Sequence, residues 1–254
     1  MLTILQLPVL NDNYIYLIHD HVSGETAAVD PAVAQPVLNV LEQKGWQLTT
    51  ILNTHHHGDH VGGNLDLKQK TGCTIIAPLS DQNRIPGIDR GVIEGDVITL
   101  GKHTARVIST PGHTSGHVVY YFADDNTLFC GDTLFVMGCG RLFEGTAEQM
   151  WHSLQKLKAL PVATIIYCAH EYTQTNGRFA LTVEPGNRKL QQRMDVINQQ
   201  RTNHQPTVPS TIEQEMATNP FFREDSLALQ ETIKMVNKKP VEVFAEIRRL
   251  KNSF

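Results

Sequence analysis

The run Thr54-His55-His56-His57-Gly58-Asp59-His60 places four histidines and one carboxylate within seven residues. Neutral imidazoles and carboxylates are the groups that zinc, iron and manganese take as ligands, so the chemistry on offer is metal binding. A β-branched run precedes the motif, and a strand end feeding a tight turn can project His55, His57, Asp59 and His60 toward one locus. His56, caught between ligands, is expected to point away and lend support from outside. Gly58 is expected to relax the backbone where adjacent ligands diverge, and Gly62 and Gly63 to let the next helix start close to the metals. Three later segments repeat the signal: Pro111-Gly112-His113-Thr114, Cys130-Gly131-Asp132-Thr133 and Ala169-His170-Glu171. A solvated loop or a histidine-rich accident could explain one such motif. Four of them, each at the end of a strand-like run, are what a metal site collecting ligands along one sheet edge requires. No Ser–His or Cys–His nucleophile pair stands out beside them.

The remaining histidines read as structural. His117 begins a strand and is expected in the core or at an edge, while His19, His21, His103, His152 and His204 have no ligand-like company and are expected at the surface.

The elements that must position these ligands are short. Strands are predicted at Leu2–Leu7, Tyr14–Ile18, Thr26–Val29, Leu48–Asn53 and Thr74–Ala77, then at Val97–Leu100, Ala105–Ser109, Val118–Phe122, Thr127–Cys130 and Thr164–Cys168. Val33, Val37, Val40 and Leu41 give the segment Val33–Lys44 an apolar helical face. Thr146-Ala147-Glu148-Gln149 is a capping box opening a helix that runs to about Leu160. From about Glu171 strand signals thin out. Helices are predicted over Asn187–Arg201, Ile212–Ala217, Glu224–Val236 and Val241–Lys251, with Ser210-Thr211-Ile212-Glu213 as a second capping box and Pro185-Gly186 as punctuation. The expected organisation is a β-rich α/β domain over residues 1–170 and a small helical domain over 171–254.

Bulk properties narrow the class further. The chain has 254 residues, 41% of them hydrophobic and 19% charged, an ordinary globular balance that excludes disorder as the default. A net charge of −4 advertises no nucleic-acid partner. The four cysteines, Cys73, Cys130, Cys139 and Cys168, form no C-x-x-C pair, which suits reduced structural thiols in a cytoplasmic protein. The apolar N-terminus lacks a basic flank and is broken by Pro8 and Asn11-Asp12-Asn13, and no later apolar run nears the length of a membrane span.

The pattern T-H-H-H-x-D-H, P-G-H-T, G-D-T and a late A-H-E resembles the metallo-β-lactamase superfamily, whose fold is an αββα sandwich. Carried over by position, the resemblance implies that His55, His57 and His113 hold one metal. Asp59, His60 and His170 then hold a second, and Asp132 bridges the two. Within the superfamily, Gly138-Cys139-Gly140-Arg141-Leu142-Phe143-Glu144-Gly145-Thr146 resembles the hydroxyacylglutathione hydrolases (glyoxalase II). So do Ala169-His170-Glu171-Tyr172-Thr173 with Asn176, the run Val183–Asn187, and the ending Arg248–Phe254. That resemblance spans essentially the whole chain. It implies hydrolysis of S-D-lactoylglutathione to glutathione and D-lactate, the second step of methylglyoxal detoxification. Two divalent metals, zinc first with iron or manganese as alternatives, would supply a bridging hydroxide as nucleophile, with Asp59 and Asp132 catalytic through it. A thiol with a pKa near ~8.5 departs as thiolate without a separate general acid.

The resemblance also implies substrate contacts at Arg141, Tyr172, Arg248 and Lys251. Phe143 stands where some members carry tyrosine, so one hydroxyl contact is absent. Arg248 and Lys251, spaced i,i+3, share a helix face, whereas Lys234, Lys238 and Lys239 read as solvated. The expected partner is the small glutathione thioester alone, bound by a monomer without nucleic acid or membrane. Three rival readings exist. A persulfide dioxygenase of the same superfamily would use a single iron, against the two ligand sets present. An RNA-processing nuclease would want a basic exosite. A metal-stabilised binding module needs only four ligands, fewer than this chain offers.

Overall fold

In the computed structural model, which describes residues 2–254, these residues divide into two compact units, 2–109 with 116–131 and 110–115 with 132–254.

The first unit holds two sheets. The first is built from β1 (Leu2–Val9), β2 (Asn13–Asp20), β3 (Glu25–Val29), β4 (Gln47–Leu52), β5 (Thr74–Pro78) and β6 (Arg90–Val92), hydrogen-bonded in that order. Pairings β1–β2 and β2–β3 are antiparallel, and β3–β4, β4–β5 and β5–β6 are parallel. The parallel crossovers are made by helices, α1 (Ala34–Lys44) between β3 and β4, then α2 (Gly58–Val61) and α3 (Asn64–Thr71) between β4 and β5. The second sheet of this unit is an antiparallel meander of β7 (Val97–Leu100), β8 (His103–Ser109), β9 (Val118–Phe122) and β10 (Thr127–Gly131).

Alternation along β2 explains the layering. Ile15 and Leu17 face the helices, packed with Val37 and Leu41 of α1 and Leu67 of α3. On the other face Tyr16 meets Phe129 of β10 at 5.5 Å between ring centroids. All eight residues of β2 are therefore buried, the expected signature of a strand covered on both faces. Each large aliphatic side chain so enclosed contributes about 1.5–3 kcal/mol. Gly45, in the left-handed region at φ 65°, ends α1 where the apolar stripe ends.

The second unit contains the hairpin β11 (Leu134–Phe135) and β12 (Gly138–Cys139), helix α4 (Ala147–Lys158), β13 (Ile165–Cys168) and α5 (Thr173–Val183). It continues with α6 (Arg188–Thr202), β14 (Ser210–Thr211), which pairs antiparallel with β13, then α7 (Ile212–Thr218), α8 (Leu227–Thr232) and α9 (Pro240–Asn252). Thr146 and Gln149 form both arms of the expected capping box at α4, at 3.2 and 2.9 Å. No helix among the described residues is long and apolar enough to cross a membrane.

Several expectations change. The second cap is Thr211, not Ser210: its hydroxyl accepts from the Gln214 amide, while Ser210 turns its own hydroxyl to Glu215. The helix expected over Glu224–Val236 shrinks to α8, because Ser226 caps it late and Lys234 and Asn237 take left-handed backbones after it. Helix α5 was not expected at all, nor were β6, β11, β12 and β14. His19 is buried, not at the surface, with its ring stacked on Trp46 at 4.0 Å, and His103 is half-buried against Asp125 at 2.7 Å.

Candidate active site

In the first unit the ligand-type residues leave the end of β4. Thr54 anchors the turn, its amide and hydroxyl both donating to the two oxygens of Asp30 at 2.7 Å. His55 follows, fully buried, with Nδ1 3.0 Å from the Thr54 hydroxyl and Nε2 3.0 Å from Nδ1 of His57. The ring of His117 is buried beside it, 4.9 Å away and nearly parallel. His60, at the inner face of α2, points Nδ1 at Asp30 at 3.1 Å and Nε2 at Asp59 at 3.6 Å. The Asp59 carboxylate is steadied by the Asn13 amide at 3.0 Å, so the N-terminal Asn-Asp-Asn interruption serves the site. Donor atoms of Asp30, His55 and His60 lie within 4.8 Å of one another.

His56 turns away as expected, to Asp81 at 3.1 Å, where Arg84 also binds. Gly58 opens α2 with no left-handed backbone and open space around it, so the expected relaxation is not needed there. Gly62 and Gly63 are required for a different reason from the one expected. A Cβ on them would strike the carbonyl oxygens of Ala32 at 2.5 Å and Pro31 at 2.7 Å, so they let the α2–α3 junction lie against the loop that carries Asp30.

In the second unit one carboxylate faces two imidazoles. Oδ2 of Asp132 lies 3.3 Å from Nε2 of His113, and Oδ1 lies 3.4 Å from Nε2 of His170. All three residues are buried. Nδ1 of His113 donates to the Arg141 carbonyl at 2.9 Å, which fixes that tautomer and leaves Nε2 as the electron-pair donor. Tyr172 stacks flat on His170 at 4.8 Å, and Phe143 meets His113 edge-on at 5.2 Å. Phe143 is 62% exposed and carries no hydroxyl.

The expected substrate contacts gather around α5 and α9. Arg248 is buried, only 4% exposed, with Nη1 donating to the Cys139 carbonyl at 2.9 Å and its guanidinium 5.2 Å from the Phe221 ring centroid. Lys251 is half-buried between Phe179 and Phe254, and its Nζ donates to the Thr175 carbonyl at 3.3 Å. Burial first, then the charges of Arg248, Arg178 and Arg141, push the Lys251 amine down from 10.5 to about 8. Arg141 is exposed. Burial pushes the Cys139 thiol up to about 11 and the Cys168 thiol to about 12, the direction of inert structural cysteines.

The donor set fits divalent metal ions. The side chains are imidazole and carboxylate throughout. The far ring nitrogens of His60 and His113 are held by a carboxylate and a carbonyl, the outer support that metal-binding histidines use. Asp30 is the residue the sequence reading missed. It follows β3 directly, at the same strand-end position as the other ligand-type residues, and its left-handed backbone at φ 48° is the further mark of a constrained position.

Comparison with known proteins agrees with this geometry. Residues 11–170 match the metallo-beta-lactamase superfamily. The solved B3 metallo-beta-lactamase BLEG-1 aligns with a TM-score of 0.67 at 23% identity, covering 87% of this chain and 99% of that one. ETHE1 from Myxococcus xanthus aligns at 0.68 and 24%, covering 95% and 94%. The fold is that of the metallo-β-lactamase superfamily.

Residues 171–254 match the hydroxyacylglutathione hydrolase C-terminus. The hydroxyacylglutathione hydrolase of Methylococcus capsulatus is 57% identical over 254 residues, covering 100% of this chain and 99% of the relative, and that of Rhodospirillum rubrum is 53% identical over 253 residues with the same coverage. This chain belongs to the hydroxyacylglutathione hydrolase family.

Proposed function

We propose that this protein hydrolyses S-(2-hydroxyacyl)glutathione, with S-D-lactoylglutathione as substrate and glutathione and D-lactate as products. The observation that carries the reading is Asp132, whose two oxygens each face a different histidine. A carboxylate so placed suits a bridge between two cations. His55, His57 and His113 would hold one ion, and Asp59, His60 and His170 the other, with Asp132 common to both. Zinc suits these ligands, as do iron and manganese. Two such ions held by these residues would supply the chemistry of water activation near neutral pH and Lewis-acid polarisation of a thioester carbonyl.

The chain's own residues do the rest. Asp30 and the Arg141 carbonyl fix the tautomers of His60 and His113, and Asn13 orients Asp59. Lys251 and Arg141 offer positive charge to the glutathione carboxylates, with Arg248 beneath them partly committed to the Cys139 carbonyl. Phe143 and Tyr172 contribute aromatic surface beside His113 and His170. Residues 1–170 thus act as the catalytic domain and 171–254 as the substrate-binding helical domain of a cytoplasmic monomer.

The test is thiol release from S-D-lactoylglutathione by the purified protein, paired with elemental analysis. Two metals per chain together with turnover support the reading. Two metals without thiol release refute it, and oxygen uptake with glutathione persulfide at a single-iron site would install the dioxygenase reading instead.

A further inference from the structure

Four arginines in the second unit are matched to carboxylates. Arg193 pairs with Glu215 at 2.8 Å, Arg223 with Glu184 at 2.7 Å and Arg249 with Glu246 at 2.7 Å, and Arg201 lies 3.6 Å from Glu171. Around Thr175 the arrangement differs. The Thr175 carbonyl accepts from Lys251, and its hydroxyl accepts from Nη2 of Arg178 at 3.0 Å. One residue of α5 therefore brings two cations together. Arg248 lies one helical turn before Lys251 on α9, and Arg141 is close enough for its charge to act on the Lys251 amine. None of these four cations has a carboxylate partner among the described residues. Like charges held together without counter-ions destabilise the free protein, and a bound anion relieves the strain. Four positive charges also exceed what one carboxylate needs.

Resting on the functional reading above, we propose that Arg178 is a substrate-binding residue that holds the second carboxylate of the glutathione moiety, the one Lys251 does not take. Glutathione carries two carboxylates, one on glycine and one on the γ-linked glutamate. Arg178 is exposed, and its planar guanidinium can grip a carboxylate with two parallel hydrogen bonds. Thr175 sets the spacing, because its carbonyl and hydroxyl fix the amine and the guanidinium relative to one another. Arg178 thus makes the site selective for thiols with two anionic ends over thiols with one.

Three lactoyl thioesters test this with the metal-loaded full chain: that of glutathione, that of its glycine ethyl ester, and that of cysteinylglycine, which lacks the glutamate. Arg178→Ala should raise KM for the glutathione thioester about three- to tenfold, the range for a charge-assisted bond at an exposed position. Arg178→Lys should restore part of the loss. The Arg178→Ala effect should vanish on one singly blocked substrate and the Lys251→Met effect on the other. An unchanged KM in Arg178→Ala overturns the proposal. So does an equal KM increase on all three thioesters, or both variants answering to the same carboxylate. A parent enzyme inert toward S-lactoylglutathione overturns the functional reading itself, and this assignment with it.

Discussion

Replacing Lys251 by methionine should make the protein more stable near neutral pH while weakening its grip on substrate. Burial and the charges of Arg248, Arg178 and Arg141 lower the amine from 10.5 to about 8. At ~1.36 kcal/mol per pH unit that difference corresponds to about 3 kcal/mol of folding free energy. The amine is only half-withdrawn from water, so screening reduces the cost to about 1–2 kcal/mol. The variant loses the placement of Nζ at 5.3 and 5.0 Å from the rings of Phe179 and Phe254, worth about 0.5–1 kcal/mol apiece at such sites. A methionine sulfur between two rings recovers much of that, and the Thr175 carbonyl that loses the 3.3 Å bond is at an exposed residue where water replaces the amine. A net gain of about 1 kcal/mol remains, or roughly 2–4 °C in Tm for a chain of this length. The pH dependence has a fixed sign. The folded protein binds this proton more weakly than the unfolded chain, so the penalty is fully present below about 8 and is relieved as pH climbs toward 10.5. The advantage of Lys251→Met should therefore be largest near pH ~7 and shrink toward pH ~10. Thermal melts of both metal-loaded proteins across that range decide the matter. A variant that melts below its parent near neutrality, or a difference that ignores pH, would refute the reasoning.

Arg248→Ala should behave in the opposite way, because its guanidinium is buried against Phe221 and bonded to the Cys139 carbonyl. Stranding that carbonyl should cost about 2–3 kcal/mol and lower Tm by roughly 4–12 °C in melts, alongside any rise in KM. Asp132→Ala should abolish thioester hydrolysis and reduce bound metal to one ion or fewer per chain, read by elemental analysis; two retained metals would exclude the bridging role. His57→Ala should lose metal and nearly all activity. His56→Ala should keep its metal and part of its turnover, since Arg84 remains on Asp81; equal metal loss in both variants would count against the assignment.

The fold class was legible in the sequence, and the candidate ligands announce themselves by residue type; several of the elements around them do not. Imidazoles and carboxylates signal themselves by residue type: His55, His57, His113, Asp132 and His170 lie in the turns that follow strands, and Asp59 and His60 in the short helix α2 directly after His57. Asp30 escaped because it stands alone, with no second ligand-type residue in its motif, although its strand-end position was visible. Helix α5 escaped for a different reason. Thr173, Thr175, Gly177 and Thr182 are poor helix formers, and the helix is held by burial of Thr173, Asn176, Phe179, Ala180 and Val183 along one stripe. That is a tertiary cause that local propensity does not express. The two-residue strands β11, β12 and β14 are too short to carry an alternation. Arg248 and Lys251 were paired by spacing alone, and only packing distinguishes the buried guanidinium from the half-exposed amine.

The hairpin after Asp132 limits how this enzyme can be taken apart. Its backbone finds partners in the C-terminal helices: Met137 N–H donates to Glu215 at 2.7 Å, Asn176 donates to the Val136 carbonyl at 3.1 Å, and Asn219 donates to the carbonyls of Phe135 at 3.2 Å and Gly138 at 3.0 Å. Glu215 and Asn219 are also joined to each other at 3.0 Å. Buried amides and carbonyls left without partners are costly. The segment beside the Asp132 carboxylate is thus completed by side chains that arrive 40 to 84 positions later in the chain, those of Asn176, Glu215 and Asn219. A graft that swapped the helical part for that of a relative would have to bring all three along, or lose the shape of the loop next to Asp132. Exchange of the helical segment would therefore disturb the loop next to Asp132, whereas exposed side chains such as Arg141, Phe143 and Arg178 can be replaced without touching any of these bonds.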